Sequence, residues 1–398
     1  MNTDRNSTLS ELSLPADLLE EMETLNREAA SLHIWLRTRA NAPQKNPWHL
    51  GINEEPPKLL ENEVTESSPP PVYRASPYLW KWTDIEPYLH RIADIAPLEF
   101  TDRQQFLLLN PTLGGALRVT NTIRVAISIY KPGDKATTHM HTPNASRTIL
   151  SNIGGYTTVE GEVCEASRGD LILTPNGTWH GHGNNSTEPV IWMDVLDWPL
   201  MENLDCIWIE EEDNSMAANT PEPSLNLSSR HYGKGGLLPT FLPNSRGIGV
   251  GSSPLMHYKG MDIKTALEEL AKEDGNPYEA IQIKFTNPTD GSSVFTTLGY
   301  SAQLLRPGES TLPCRQTSST LYCCMLGHGY TEIAGTKYEW NKNDIFLAPN
   351  YLWRHHVNLD VEKDAILYAI TDAPLLEKIG HFRAQGKTMS GDLIDLNC

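Results

Sequence analysis

Leu18, Met22, Leu25, Ala29, Leu32 and Leu36 recur in alternating steps of four and three. That spacing keeps them on one face of a helix, with Glu20, Glu21, Glu23 and Arg27 mostly off it, and predicts a helix over 16–37. Pro15 suits its opening turn. Periodicity leaves two roles open: a helix packed on its own domain, or an arm laid on another subunit. Residues 38–75 lose the pattern, because Pro43, Pro47, Pro56, Pro57 and the run Pro69-Pro70-Pro71 interrupt acidic sequence, and they read as irregular. A second short helix is expected over 80–96.

From about residue 104 the texture changes to short β-rich runs broken by Gly, Pro and Asn, such as QFLLLNPTLGG, RVAISIYKPGD and TILSNIGGYTTVEGEV. Such a rhythm favours a β-barrel or sandwich. Residues 210–237 are acidic and rich in Ser and Asn, as a linker would be, and a helix is expected at about 262–274. A second β-rich block over 280–372 then repeats the first. KPGDKATTHMHTPNASRTIL and RGDLILTPNGTWHGHGN find counterparts in RPGESTLPCRQTSSTLYCCM and KNDIFLAPNYLWRHHVN. Matched order over two long blocks indicates duplication. The expected division is a helical arm and Pro-rich segment (1–100), a first barrel (101–210), a linker with a helix (211–280), a second barrel (281–380) and a tail (381–398).

A chain of 398 residues is long enough for two such domains. Its 32 basic and 50 acidic side chains give a formal net charge of −18, which disfavours nucleic acid and anionic membranes as partners. No run approaches the length of a membrane-spanning segment, and MNTDRNSTLSEL lacks an apolar signal core, so a cytoplasmic location is expected. Six scattered cysteines, without a CxxC pair, suggest neither a disulfide framework nor a cysteine zinc site.

The chemistry concentrates in the first block. Gly133 is followed by five residues and then His139-x-His141; two histidines two apart on a strand share a face and can grip one ion. Gly169, Pro175, Gly177, His180 and Asn184 follow in the order G-x5-P-x-G-x2-H-x3-N, so a neighbouring strand can bring a third imidazole. Three neutral imidazoles suit Fe, Zn, Ni or Mn and leave one side of the ion open. These are the two cupin motifs. The carboxylate that many cupins carry after H-x-H is absent, since Asn144, Ala145, Ser146 and Arg147 stand there. In the second block Cys314, Gln316 and Arg354 occupy the three ligand positions, with His355 and His356 beside the last. A permanent cation repels a metal, so the second barrel is expected to be scaffold without a metal.

The chain resembles the bicupin gentisate, salicylate and 1-hydroxy-2-naphthoate 1,2-dioxygenases, which typically read H-R-H-T-Q-S-A-L-R where this chain has His139 to Arg147. Their second motif, close to G-D-x-I-L-T-P-x-x-T-W-H-D-H-G-N and then P-V-I-W-L-D-x-L-D, matches Gly169 to Asn184 and PVIWMDVLDWPL at 189–200. The resemblance implies two cupin (double-stranded β-helix) barrels in tandem with a helical N-terminal arm, all-β in class. It also implies one Fe(II) per chain, O2-dependent opening of a hydroxylated aromatic acid, and a homotetramer or dimer. His139, His141 and His180 would hold the metal, Arg147 would fork onto a substrate carboxylate, and His182 would act as an acid or base beside the site. Asp194 would orient a site imidazole or serve as a plain barrel carboxylate, while Trp179 and Trp192 read as packing.

The rim departs from the family. Met140 replaces an arginine, Pro143-Asn144 replaces Q-S, Ser146 replaces an apolar residue, Ser128 a glutamine, Arg124 an aromatic and Gly181 an aspartate. With Arg124, Ser128, Asn144 and Arg147 as substrate-side residues, a bulkier or more acidic ortho-hydroxy or ortho-amino aromatic acid is expected over gentisate. Another metal-dependent cupin reaction (isomerase, decarboxylase or diketone cleavage) and a non-catalytic binding module remain the alternatives.

Overall fold

The computed structural model describes residues 15–37, 74–96, 98–101, 103–212, 224–235, 237, 239 and 251–396. The first helix spans Ala16–Ala30, shorter than the 16–37 expected. His33 takes a positive φ of 54°, which stops it, and Ile34–Leu36 continues as a strand paired with Gln105–Leu108. Ile34 and Leu36 are buried with Trp35 between them, a period of two that overlaps the helical pattern at Leu36. The other helices fall at Trp82–Ile95 and Gly260–Leu270, close to the expected 80–96 and 262–274. Most of the Pro-rich stretch and residues 213–223 of the expected linker lie outside the described residues.

Two pairs of facing sheets build two barrels of the cupin type. In the first half a seven-stranded sheet centred on Arg124–Tyr130, Val190–Leu196 and Ala145–Ile149 faces a six-stranded sheet carrying His139–His141 and His180–Gly183. In the second half both sheets have six strands. The duplication holds to the single residue. His139 pairs with His180 in the first barrel and Cys314 with Arg354 in the second. The turns repeat as well: Gly133 (φ 90°) donates to Asn184 O at 2.8 Å, and Gly308 (φ 68°) to Asp360 O at 2.8 Å. A side chain at either glycine would be strained there, which explains the recurring P-G. The closing Asn of each motif is a clamp. Asn184 Nδ2 donates to Tyr130 O and Glu188 O (3.0 and 2.8 Å), and Asn358 Nδ2 to Leu305 O and Lys363 O (3.1 and 2.8 Å).

The halves share one apolar core and are laced by polar contacts, among them Tyr368 Oη donating to Gly169 O (2.8 Å) and Arg168 Nη2 to Asn343 Oδ1 (2.8 Å). Segments outside the two β-rich blocks lend strands to them. Tyr78–Trp80 extends a sheet of the second barrel, His257–Tyr258 one of the first, and Ala384–Lys387 pairs with Cys314–Gln316. No helix among the described residues is long and apolar enough to cross a membrane. Cys164, Cys206, Cys314, Cys323 and Cys324 are all free thiols.

Candidate metal centre

His139 and His141 lie on one short strand, and His180 faces His139 across the ladder, so the three rings converge inside the first barrel. Their ring centroids are 4.3 Å (139–180), 4.7 Å (141–180) and 5.5 Å (139–141) apart, and one ligand atom from each lies within 4.8 Å of the others. Among the described residues this is the one His/Cys/Asp/Glu cluster with that geometry. Each ring is held through Nδ1 by a backbone carbonyl: His139 by Thr137 O (3.1 Å), His141 by Pro143 O (2.8 Å) and His180 by Thr178 O (2.8 Å). A carbonyl only accepts, so each Nδ1 carries the proton and each Nε2 keeps a lone pair for a metal. Burial, and then the charge of Arg103, push His141 down to about 3. Burial also drives His139 and His180 well below their ordinary value, with Arg103 next for His139 and His141 next for His180. The set is thus neutral and fixed in the tautomer that ligation needs, and the donor chemistry fits a divalent transition metal.

Beside the triad runs a buried polar chain. Arg147 and Asp194 are direct register partners, and Arg147 Nε donates to Asp194 Oδ1 at 2.6 Å. Asp194 Oδ2 also accepts from Ser128 Oγ (3.0 Å) and Trp192 Nε1 (2.8 Å). Arg147 Nη1 donates to Thr157 Oγ1 (3.2 Å) and to His182 Nδ1, and the Arg147 guanidinium lies over the Trp192 ring. His182 accepts at Nδ1, so as a neutral ring it carries its proton on Nε2, which is buried without a hydrogen-bond partner. Asp194 therefore steadies an imidazole only through Arg147, and Trp192 is part of that support rather than packing alone.

Two substrate-side candidates stand apart from this chain. Asn144 Nδ2 donates to Asp197 Oδ2 (2.9 Å) and its Oδ1 accepts from Asn176 N (3.0 Å), which ties down the loop after His141. Arg124 donates to Leu117 O (2.9 Å) and Glu202 Oε1 (3.0 Å) and lies over Trp198, whose ring is 6.3 Å from that of His141. Its charge is paired with that of Glu202.

Sequence reasoning missed Arg103 and Gln105. The Arg103 guanidinium reaches the triad, with Nη2 3.2 Å from His139 Nδ1 and against His139 Nε2, so it meets the lone pair that a bound metal would take from it. Among the described residues no carboxylate pairs with it. Gln105 faces Ser128 in register and contacts it at 3.2 Å. The available signal was two polar side chains leading into the wholly buried strand Gln105–Leu108.

In the second barrel Arg354 fills the third-ligand position. Its Nε donates to Tyr322 Oη (2.8 Å), and Glu279 Oε1 lies 3.7 Å from Nη2.

Comparison with known proteins gives concordant relatives. The cupin-domain pattern matches residues 126–196. The 5-aminosalicylate 1,2-dioxygenase of Comamonas sp is 35% identical over 79% of this chain and 83% of its own length. The gentisate 1,2-dioxygenase of Ralstonia sp is 31% identical over 79% and 86%. The crystal structure of the salicylate 1,2-dioxygenase from Pseudoaminobacter salicylatoxidans, with gentisate, superposes with a TM-score of 0.73 at 28% identity, covering 80% of this chain and 87% of the other. With its paired barrels, its three-histidine centre and relatives above 30% identity along most of its length, the chain belongs to the gentisate and salicylate 1,2-dioxygenase family of ring-cleaving two-cupin enzymes.

Proposed function

We propose that this enzyme opens the ring of an ortho-hydroxy or ortho-amino aromatic carboxylic acid with O2, using one iron(II) per chain held by His139, His141 and His180. The observation that carries the reading is the convergence of three neutral, tautomer-fixed imidazoles beside the buried Arg147 and the half-buried Arg103. Iron bound there would supply Lewis-acid binding of the carboxylate and its ortho heteroatom, and activation of O2.

The protein's own groups divide the remaining work. Arg103, without a carboxylate partner among the described residues, presents a planar fork to the substrate carboxylate. Arg147 is held by Asp194 and Thr157, so its guanidinium is fixed in direction and adds a second positive wall. His182 offers a proton from Nε2 and can take it back, because Arg147 occupies its other nitrogen. The buried Trp192 ring, 6.2 Å from that of His182, helps keep bulk water out. The second barrel serves as scaffold, since the Arg354 cation stands where a third ligand would be.

The test is O2 uptake with ultraviolet detection of ring-opened product, on iron(II)-loaded enzyme, across salicylates, gentisates, aminobenzoates and hydroxynaphthoates. Stoichiometric O2 loss with at least one of these acids is expected. No O2-dependent ring opening with any of them would overturn the reading in favour of another cupin reaction.

A further inference from the structure

The family resemblance places a glutamine at position 128, where this chain has serine. Gln105, the cross-strand partner of Ser128, brings an amide to the same place from the neighbouring strand. Directly paired residues project on one face of the sheet, and Ser128 projects to Asp194, so Gln105 belongs to the wall that carries Asp194 and Arg147 and faces His182 on the opposite sheet. Two residues earlier, Arg103 reaches His139 of the triad.

The hydrogen bonds fix which end of the amide is free. Ser128 has one hydroxyl proton and two claimants, Asp194 Oδ2 at 3.0 Å and Gln105 at 3.2 Å. Asp194, the ion-pair partner of Arg147, only accepts, and a charge-assisted bond is about twice as strong as a neutral one. The proton therefore goes to Asp194, and Ser128 Oγ can only accept from Gln105. The two ends of an amide have the same shape, so the network assigns Nε2 to Ser128 and leaves Oε1 outward. The outward end has no hydrogen-bond donor among the described residues, and Gln105 is 4% exposed.

Resting on the proposed function, we infer that Gln105 is a specificity-determining residue whose amide oxygen accepts a hydrogen bond from a hydroxyl or amino substituent on the ring of the aromatic acid. A substrate lacking that donor leaves a buried carbonyl unpaired, and such sites reject the analogue more strongly than a hydrophobic wall rejects a missing methyl.

The experiment compares salicylates carrying amino, hydroxyl, methyl or nitro groups at ring carbon 4 or 5. It reads kcat/KM on iron(II)-loaded enzyme, and Kd by anaerobic calorimetry. At the preferred ring position the amino or hydroxyl compound should exceed both methyl and nitro by at least about tenfold in both measures. Gln105→Leu, and Gln105→Met as a second apolar variant, should bring those ratios close to one. Ser128→Ala should release the amide to rotate, and the nitro analogue, which only accepts, should gain on the amino one. Equal or better binding of methyl or nitro compounds by the unaltered enzyme overturns the inference, as does a preference that survives in both Gln105 variants. Failure of ring opening throughout would count against the proposed function, while the binding ratios would still decide the role of Gln105.

Discussion

Replacing Asp194 with alanine should destabilise the protein far more than a typical barrel substitution. The Arg147 and Asp194 side chains are 4% and 5% exposed, and their contact is 2.6 Å. Asp194 also takes the Ser128 hydroxyl and the Trp192 indole N–H. Its removal leaves a guanidinium buried without a counter-ion, and two further donors short of their acceptor. Breaking a buried pair from one side costs about 3–5 kcal/mol. For a chain of this size that corresponds to a fall in Tm of roughly 4–6 °C. The double variant Arg147→Met/Asp194→Leu removes both charges and should recover most of the loss, because the cost is the stranded charge rather than the lost attraction. The assay is thermal melting followed by circular dichroism on metal-free protein, which keeps ligand release out of the comparison. An Asp194→Ala melt within a degree or two of the parent, or a double variant no more stable than the single, would refute this reasoning.

Other outcomes follow from the same geometry. Saturating iron(II) should raise Tm, a ligand at about 100 times its Kd contributing about 2.7 kcal/mol; His139→Ala, His141→Ala and His180→Ala should each abolish the rise while Cys314→Ala retains it, as melting with and without metal will show. Arg103→Met should lower kcat/KM on the true substrate by roughly 30-fold or more, the lower end of the about 2–5 kcal/mol carried by a buried charged contact, with metal content unchanged by elemental analysis. His356 is held well below its ordinary value, first by burial and then by Arg354. The folded state keeps it neutral, so its contribution is fully present above the unfolded value near 6.5 and is lost as pH falls below it. Accordingly, His356→Leu should narrow the Tm gap between pH 7.5 and pH 5, and an unchanged gap would argue against a neutral buried ring.

The features legible in the sequence are those fixed by local geometry. The H-x-H pair, the glycine turns and the closing asparagines act within a few residues of themselves, so their spacing survives reading by eye, and the duplicated block exposed the missing ligands at Cys314, Gln316 and Arg354. The strand Ile34–Leu36 was hidden because its alternation shares Leu36 with the helical stripe before it. Tyr78–Trp80 and His257–Tyr258 are three and two residues long, too short to show a period, and their partners lie in the other half of the chain. Arg103 and Gln105 come close to the first barrel's polar chain only when the strand Gln105–Leu108 pairs with Arg124–Tyr130. The pairing of Arg124 with Glu202 was hidden because nothing in the sequence ties the two, 78 residues apart.

Labelled oxygen provides the decisive experiment. Iron(II)-loaded enzyme turned over with its preferred aromatic acid under 18O2 should give a ring-opened product carrying both heavy atoms, read by mass spectrometry after correction for exchange with water. A product that takes its new oxygen from water, or an intact ring with no label at all, would show that this centre does not perform dioxygenase chemistry.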